Sequence, residues 1–455
     1  MKVVRVIGGG LAGPEAALQV AARGHKVELF EMRPQRSTEA HQTADFAELV
    51  CSNSLKSESE NSAPWLLKQE MRRAGSFLLA DADATAVPAG HALAVDRVAF
   101  SARVAERLET HPNISIRREE VTALDAQAAD LTILASGPLT SAPLTEALKA
   151  ITGAEHLAFY DSISPIVDAT TIDMDKVYFA ARWDKGTADY INCPFTKEEY
   201  DAFIDALATA EAAEAKDWEK LEYFEGCLPI EETARRGRDT LRFGPMKPAG
   251  LTNPKTGRWP YAAVQLRCEN LRADSYNLVG FQNHLKFGEQ ARILRMIPGL
   301  EKATFLRWGQ IHRNTYIHAP SLLTETLQLR ARPDVLIAGQ LSGVEGYTES
   351  IASGMLAGIF AAELLDGRTP VPAPRLSAHG SLVHYITHAE SKRFQPANIT
   401  FDLLPPLEEE LRKRIRDKKE RHRLQCERAL SAWEQWRAAD RPLAEISIGP
   451  VGAEV

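Results

Sequence analysis

The chain has 455 residues, 44% apolar and 25% charged, with 54 basic against 61 acidic side chains and a net charge of −7. That length predicts two or three domains, and the balance excludes a polyanion binder along its whole surface while leaving room for a local basic patch. Cysteines at 51, 193, 227, 268 and 426, none in a CxxC spacing, argue against a disulfide framework or a cysteine-based zinc site and fit a reducing cytosol.

The opening "MKVVRVIGGG" enters a strand directly, without charged leader or cleavage signal, and no apolar run approaches the roughly 18–20 residues that cross a bilayer. A cytoplasmic chain with no membrane partner is expected. Val3, Val4, Val6 and Ile7 predict a buried strand. Gly8, Gly10 and Gly13 complete GxGxxG, a helix follows as far as Gly24, and Val27, Leu29 and Phe30 predict a second strand ending at Glu31. A lone GxGxxG says little, but here the strand, helix, second strand and terminal acid are in register. The turn Gly8–Gly9–Gly10–Leu11–Ala12–Gly13 brings backbone N–H groups to a pyrophosphate at a helix N-terminus, and Glu31 is placed to accept ribose hydroxyls.

"AELVCSNSLKSE" sets Cys51 between an apolar run and small polar residues, as a core filler or as a thiol at the mouth of a site. In the second case Ser52, Asn53 and Ser54 are candidates to orient a uracil edge or the cofactor. "ADLTILASGP" (129–138) predicts another strand running into glycine. Residues 332–365 predict a third strand, a glycine-rich turn with Gly339, Gln340, Gly346 and Tyr347, and a long helix of small residues. A strand, turn and helix at each end imply one nucleotide domain interrupted by an insertion. Placement of the glycine motif at residue 8 favours FAD, and without a second GxGxxG no separate nicotinamide-binding fold is expected.

Within the insertion, residues 196–226 carry 10 acidic and 3 basic side chains, whereas 227–318 carry 15 Lys/Arg against 7 Asp/Glu, with aromatics interleaved. Cations with flat rings suit an RNA whose bases are splayed out, and equally suit a charged surface over an aromatic core. Residues 405–440 predict one solvated helix with mixed charges. Cys227 precedes Arg235, Arg236, Arg238 and Arg242, guanidinium groups that would favour its thiolate. Cys193, Cys268 and Cys426 lack such a setting and read as structural. Two distant thiols beside a flavin fit addition to C6 of a uracil, with a base to remove the C5 proton, better than a redox disulfide.

The chain resembles the bacterial folate- and FAD-dependent tRNA uracil-5-methyltransferases, the TrmFO family. The resemblance runs in order through "VIGGGLAGPEAA", "FEMRP", "AHQTADFAELVCSNSLKSE", "ALAVDRVAFS", "FEGCLPIEETARRGRDTLRFGPMKPAGLTNP", "LVGFQNHLKFGEQARILRMIPGLEKATFLRWGQIHRNTYI" and "LIAGQLSGVEGYTESIASGMLAG". It implies an α/β fold: a Rossmann-like, discontinuous FAD-binding domain (1–155 and 319–404), an inserted α+β domain (156–318) facing RNA and folate, and a C-terminal helix and tail (405–455).

The implied activity is C5-methylation of the T-loop uridine, position 54 of tRNA, with carbon from 5,10-methylenetetrahydrofolate, electrons through FAD from NADH or NADPH, and no metal. The same chemistry on ribosomal RNA, or a non-catalytic flavin-containing RNA binder, remains open on sequence. The resemblance implies Cys51 and Cys227 as nucleophile and general acid/base, in either order. It implies the 8–13 turn, Glu31, Arg33, Gly339, Gln340, Gly346 and Tyr347 at FAD, and His312 and Phe287 at folate. Phe287 stands where many relatives carry Trp. The four arginines 235, 236, 238 and 242 are expected at RNA. His91, in place of a usual glycine, has no account.

Overall fold

The computed structural model describes residues 2–125, 127–153, 157–212, 228–391 and 394–439, excepting the side chains of 157–162 and 311–313. Two sheets carry the architecture. In the first the strand order is Gln328–Leu329, Arg332–Ile337, Leu131–Leu134, Val3–Ile7, Lys26–Phe30 and Ile114–Arg117. All neighbours are parallel except the first pair. Parallel strands need crossover helices, which cover both faces, so Val4, Val6, Leu29, Ile133 and Leu336 are all buried. The second sheet, antiparallel throughout, has the order Tyr178–Phe179, Ile191–Phe195, Ala262–Cys268, Ser275–Leu278, Ile166–Asp168 and Phe305–Arg307. Leu157–Ser162 and Ile311–Tyr316 pair antiparallel as the outgoing and returning chains between the two sheets.

Each sheet has its own core. One cluster gathers residues between Val4 and Leu148 with residues from Tyr316 to Trp436; the other runs from Val167 to Phe305. The helix Tyr347–Leu365 crosses the first core against Ala12–Ala22. A Cβ on Gly354 would stand 2.3 Å from the Ala12 carbonyl oxygen, so only glycine allows the two backbones to approach this closely.

That helix corrects one expectation. Its 19 residues are long and apolar enough to cross a membrane, yet 94% of the apolar window is buried inside the fold. Glu349 and Glu363, both buried, break up the run in the sequence.

The tail departs further from expectation. It forms Glu409–Arg414 and Lys418–Ala438, and the second helix buries Cys426, Ala429, Leu430, Trp433 and Trp436 in the nucleotide-domain core. Trp433 stacks on His379 at 4.4 Å and donates its indole N–H to the Glu70 carbonyl at 2.8 Å. Mixed charge describes only the solvent face of this helix; the other face is core.

Candidate active site

A cleft opens at the C-terminal ends of the parallel strands, lined by the 8–12 turn, Glu31, Arg33, Ser136, Gly339, Gln340 and Tyr347. The turn is built by close approach. Gly8 donates its N–H to Phe30 O at 2.8 Å, and a Cβ on Gly13 would meet Gly8 O at 1.8 Å, so Gly13 seats the helix on the strand. At Gly10 the situation is opposite: a Cβ there would meet nothing within 4 Å. Leu11 caps the helix without a side-chain hydrogen bond, leaving first-turn N–H groups for a ligand.

Glu31 supports the turn from below. Its Oε2 accepts the Gly9 N–H at 2.7 Å, and its Oε1 accepts both Arg33 N–H and Arg33 Nε at 2.9 Å. Burial raises this carboxyl, but the bonds and charge of Arg33 together with the Gly9 bond outweigh it and hold the pKa below the usual range. Three of about four acceptor sites are thus taken, leaving capacity for one further donor. Arg33, itself buried, is fixed from the far side by Glu48 at 3.0 Å. An uncapped helix start, an open space above Gly10 and an ionised acid fit a dinucleotide such as FAD.

Cys51 lies half-buried near this cleft. Its N–H donates to the Tyr347 hydroxyl oxygen at 2.8 Å, and its Sγ stands 3.0 Å from the same oxygen. Burial, and then the neighbouring thiol charge, push the Tyr347 phenol well above its ordinary pKa, so it remains a proton donor. Two arginines interact electrostatically with both Cys51 and Tyr347. Burial disfavours the charge of Arg97, but Glu269 leads the anionic partners that raise it above the ordinary value; burial and then Arg97 lower Arg307. Arg97 is anchored to Leu49 O at 2.5 Å and Arg307 to Ala40 O at 3.1 Å. Cations in reach of the sulfur favour its thiolate. Neither arginine stands out in the sequence; a lone arginine after the Asp96 helix cap is the only signal for Arg97.

The insertion reaches this loop through the strand Ala262–Cys268 and the adjoining Glu269. Asn53, fully buried, donates to Val95 O at 3.0 Å and Cys268 O at 2.9 Å, and accepts from Arg267 Nε at 2.9 Å. Arg267 also donates to Ser52 Oγ at 2.7 Å, and Arg97 bridges to Glu269 at 2.5 Å. Ser52 and Asn53 therefore join the two domains, and for Asn53 the expectation that it orients a substrate edge is corrected. Every polar atom of the Asn53 side chain is engaged by protein.

The remaining candidates are dispersed. Gly339 and Gln340 line the cleft, and Gly346, at φ 105°, starts the helix bearing Tyr347. Cys227 lies outside the described residues, directly before Leu228. His312 pairs through its backbone with Asp161, and its side chain lies outside the description. Phe287 opens the helix Phe287–Leu294 and is 66% exposed. Arg236 and Phe243 line an open groove beginning at Leu228. Arg242 lies 4.1 Å over the Tyr261 ring and donates to Tyr261 O. Arg235 is paired with Glu232, and Arg238 is held by Asp201 and Asp205. His91 is exposed, beside Gly186.

Comparison with known proteins adds to this geometry. A family model described as glucose inhibited division protein A matches residues 3–369. A Koribacter versatilis (strain Ellin345) protein named methylenetetrahydrofolate–tRNA-(uracil-5-)-methyltransferase TrmFO is 66% identical over 438 residues, 96% of this chain and 98% of its own. The chain belongs to the TrmFO family. An Enterococcus faecalis (strain ATCC 700802 / V583) TrmFO protein is 53% identical across 95% of this chain and 98% of its own. The fold is shared with Aquifex aeolicus GidA in its form I crystal, at a TM-score of 0.70 and 16% identity, covering 97% of this chain and 77% of that one. TrmFO membership thus extends over both cores.

Proposed function

We propose that this chain methylates C5 of a tRNA uridine, position 54 of the T-loop, taking carbon from 5,10-methylenetetrahydrofolate, with FAD in the glycine-turn cleft and NADH or NADPH as reductant. The observation that carries the reading is a half-buried thiol, Cys51, hydrogen-bonded to a cleft-lining phenol and flanked by two arginines. Residues 8–13, Gly339, Gln340, Gly346 and Tyr347 would hold FAD, with Glu31 and Arg33 at its nucleoside end. Once reduced by NADH or NADPH, FAD bound there would supply the hydride that turns the transferred methylene carbon into methyl as tetrahydrofolate leaves. Cys51 adds as thiolate to C6 of the uracil, which makes C5 nucleophilic, while Tyr347 keeps its proton and donates to the sulfur. Cys227 removes the C5 proton after carbon transfer; loss of that proton and of the C6–sulfur bond restores the ring. His312 and Phe287 are the proposed folate contacts, and Arg235, Arg236, Arg238 and Arg242 the phosphate contacts. Four free cysteines among the described residues accord with a cytoplasmic setting.

Purified protein is incubated with the folate, NADH or NADPH, and tRNA transcripts carrying U54 or C54. Methylation confined to the U54 transcript supports the reading; methylation of ribosomal RNA alone, or of no RNA, overturns it. A transcript containing 5-fluorouracil cannot lose its C5 substituent and traps the attacking thiol. Trapping lost in Cys51→Ala assigns the attack to Cys51; trapping that persists there and vanishes in Cys227→Ala reverses the two roles.

A further inference from the structure

Away from the cleft, the helix Ala378–His388 carries His384 and His388 on one face of its last turns, and Glu325 approaches them from the chain ahead of Gln328–Leu329. Residues four apart on a helix stand one above the other, and here the imidazoles lie 4.3 Å apart and within 16° of parallel. Both turn Nδ1 toward the same carboxylate oxygen, Glu325 Oε1, at 3.4 Å from His384 and 3.7 Å from His388. All three candidate ligand atoms fall within 4.8 Å of one another.

The His384 contact is a long hydrogen bond and the His388 contact is longer still, both outside the 2.7–3.2 Å of a good N–H···O bond, so the carboxylate is loosely held. A tetrahedral centre with bonds of about 2.0–2.1 Å to nitrogen and oxygen sets its ligand atoms about 3.3 Å apart, close to the two distances observed. We infer that Glu325, His384 and His388 form a binding site for a divalent first-row transition ion, zinc foremost.

Two imidazoles and one carboxylate make a borderline-soft donor set that favours such ions over magnesium or calcium. The site lies at a helix C-terminus, where the backbone dipole favours positive charge. His384, His388 and Glu325 side chains are 39%, 48% and 41% exposed, so an ion can enter and keep solvent as a fourth ligand. Several interactions compete: His388 Nδ1 is 2.9 Å from Thr387 Oγ1 and 3.3 Å from His384 O, His384 Nδ1 is hydrogen-bonded to Glu325 at 3.4 Å, and Arg375 feels the Glu325 charge. Binding requires His388 to carry its proton on Nε2 and to give up its Nδ1 contacts with Thr387 Oγ1 and His384 O. The ion would staple this helix to the segment that leads into the edge strand of the parallel sheet. The site is independent of the methyltransferase reading and takes no part in it.

The test titrates Zn2+ alone into the full-length protein after chelator treatment and dialysis, by calorimetry and thermal melting. One equivalent should bind in the micromolar range and raise the melting temperature, because an ion that binds only the folded state stabilises it. His384→Ala, His388→Ala and Glu325→Gln should each weaken binding by about tenfold or more. All three positions are at the surface, so the metal-free variants should melt where the parent does. Co2+ separates this site from the thiols: nitrogen and oxygen ligands give visible d–d bands, whereas a cysteine ligand adds thiolate charge transfer in the near ultraviolet. Absence of binding, unchanged affinity in the His384→Ala/His388→Ala double variant or in Glu325→Gln, or a thiolate band at one equivalent would each overturn the assignment.

Discussion

The Tyr347 hydroxyl accepts the Cys51 backbone N–H at 2.8 Å and stands 3.0 Å from Cys51 Sγ. With its oxygen occupied by the amide, the phenol has its proton left to give to the sulfur. A hydrogen bond to a charged group contributes about 1.5–3 kcal/mol. Tyr347→Phe should therefore slow alkylation of Cys51 by iodoacetamide about tenfold at neutral pH, measured in a Cys227→Ser background. An unchanged rate would mean that the thiolate is held by Arg97 and Arg307 alone.

Gly10 and Gly13 make separable predictions. A side chain at residue 13 collides with the Gly8 carbonyl, so Gly13→Val should lower stability as well as flavin content. A side chain at residue 10 meets no protein atom within 4 Å, so Gly10→Val should lose FAD and melt where the FAD-stripped parent does. Full flavin retention in Gly10→Val, read from its visible absorbance, would move the pyrophosphate elsewhere.

Asn53→Ala tests the join between the domains. It strands the Arg267 guanidinium and the carbonyls of Val95 and Cys268 in a buried place, at a cost on the order of 2–3 kcal/mol. Urea denaturation should show that loss. A midpoint equal to the parent's would mean water replaces the amide.

Much of the nucleotide domain was legible because its signals are local. The strand, glycine turn, helix and acid of residues 3–31 fall within one short stretch, and so does the turn after Arg332–Ile337. Asn53 was not legible, since its partners Arg267 and Cys268 lie more than 200 residues away. The burial of the tail helix was readable after all: Cys426, Ala429, Leu430 and Trp433 keep helical spacing, and surrounding charge masked the stripe. Arg97 and Arg307 meet Cys51 only through the tertiary fold.

Among the four arginines, the structure predicts unequal effects on RNA affinity. Arg236 lines the open groove with Phe243, a position that Arg238, held by Asp201 and Asp205, does not share. Arg236→Glu should weaken tRNA binding and flatten its salt dependence more than Arg238→Glu does. Filter binding across a salt series measures both slopes, and a steeper loss in Arg238→Glu would refute the ranking.

Glu231 gives the insertion a pH dependence. Burial lifts its carboxyl from 4.5 to about 7, despite the opposing bond from the His284 N–H. The folded chain then holds this proton more tightly than the unfolded one. Its stabilising contribution is complete below about pH 4.5 and lost as pH rises to about 7, a change on the order of 3 kcal/mol. Glu231→Gln keeps an oxygen for His284 and has no such proton to lose. The variant should match the parent near pH 5 and exceed it at pH 8 in urea midpoint; equal midpoints at both pH values would count against the titration.

Leu131–Leu134, buried along its whole length, sits between Val3–Ile7 and Arg332–Ile337. During translation its first neighbour is already waiting, while its second is still about 200 residues from being made. At about 5–20 residues per second that is roughly 10–40 seconds in which an apolar parallel edge is bare beside the ribosome. The insertion, whose core among the described residues is drawn from 167–308, can fold in that interval. The half-built sheet cannot close, and it is there that a nascent chain of this design most needs a chaperone.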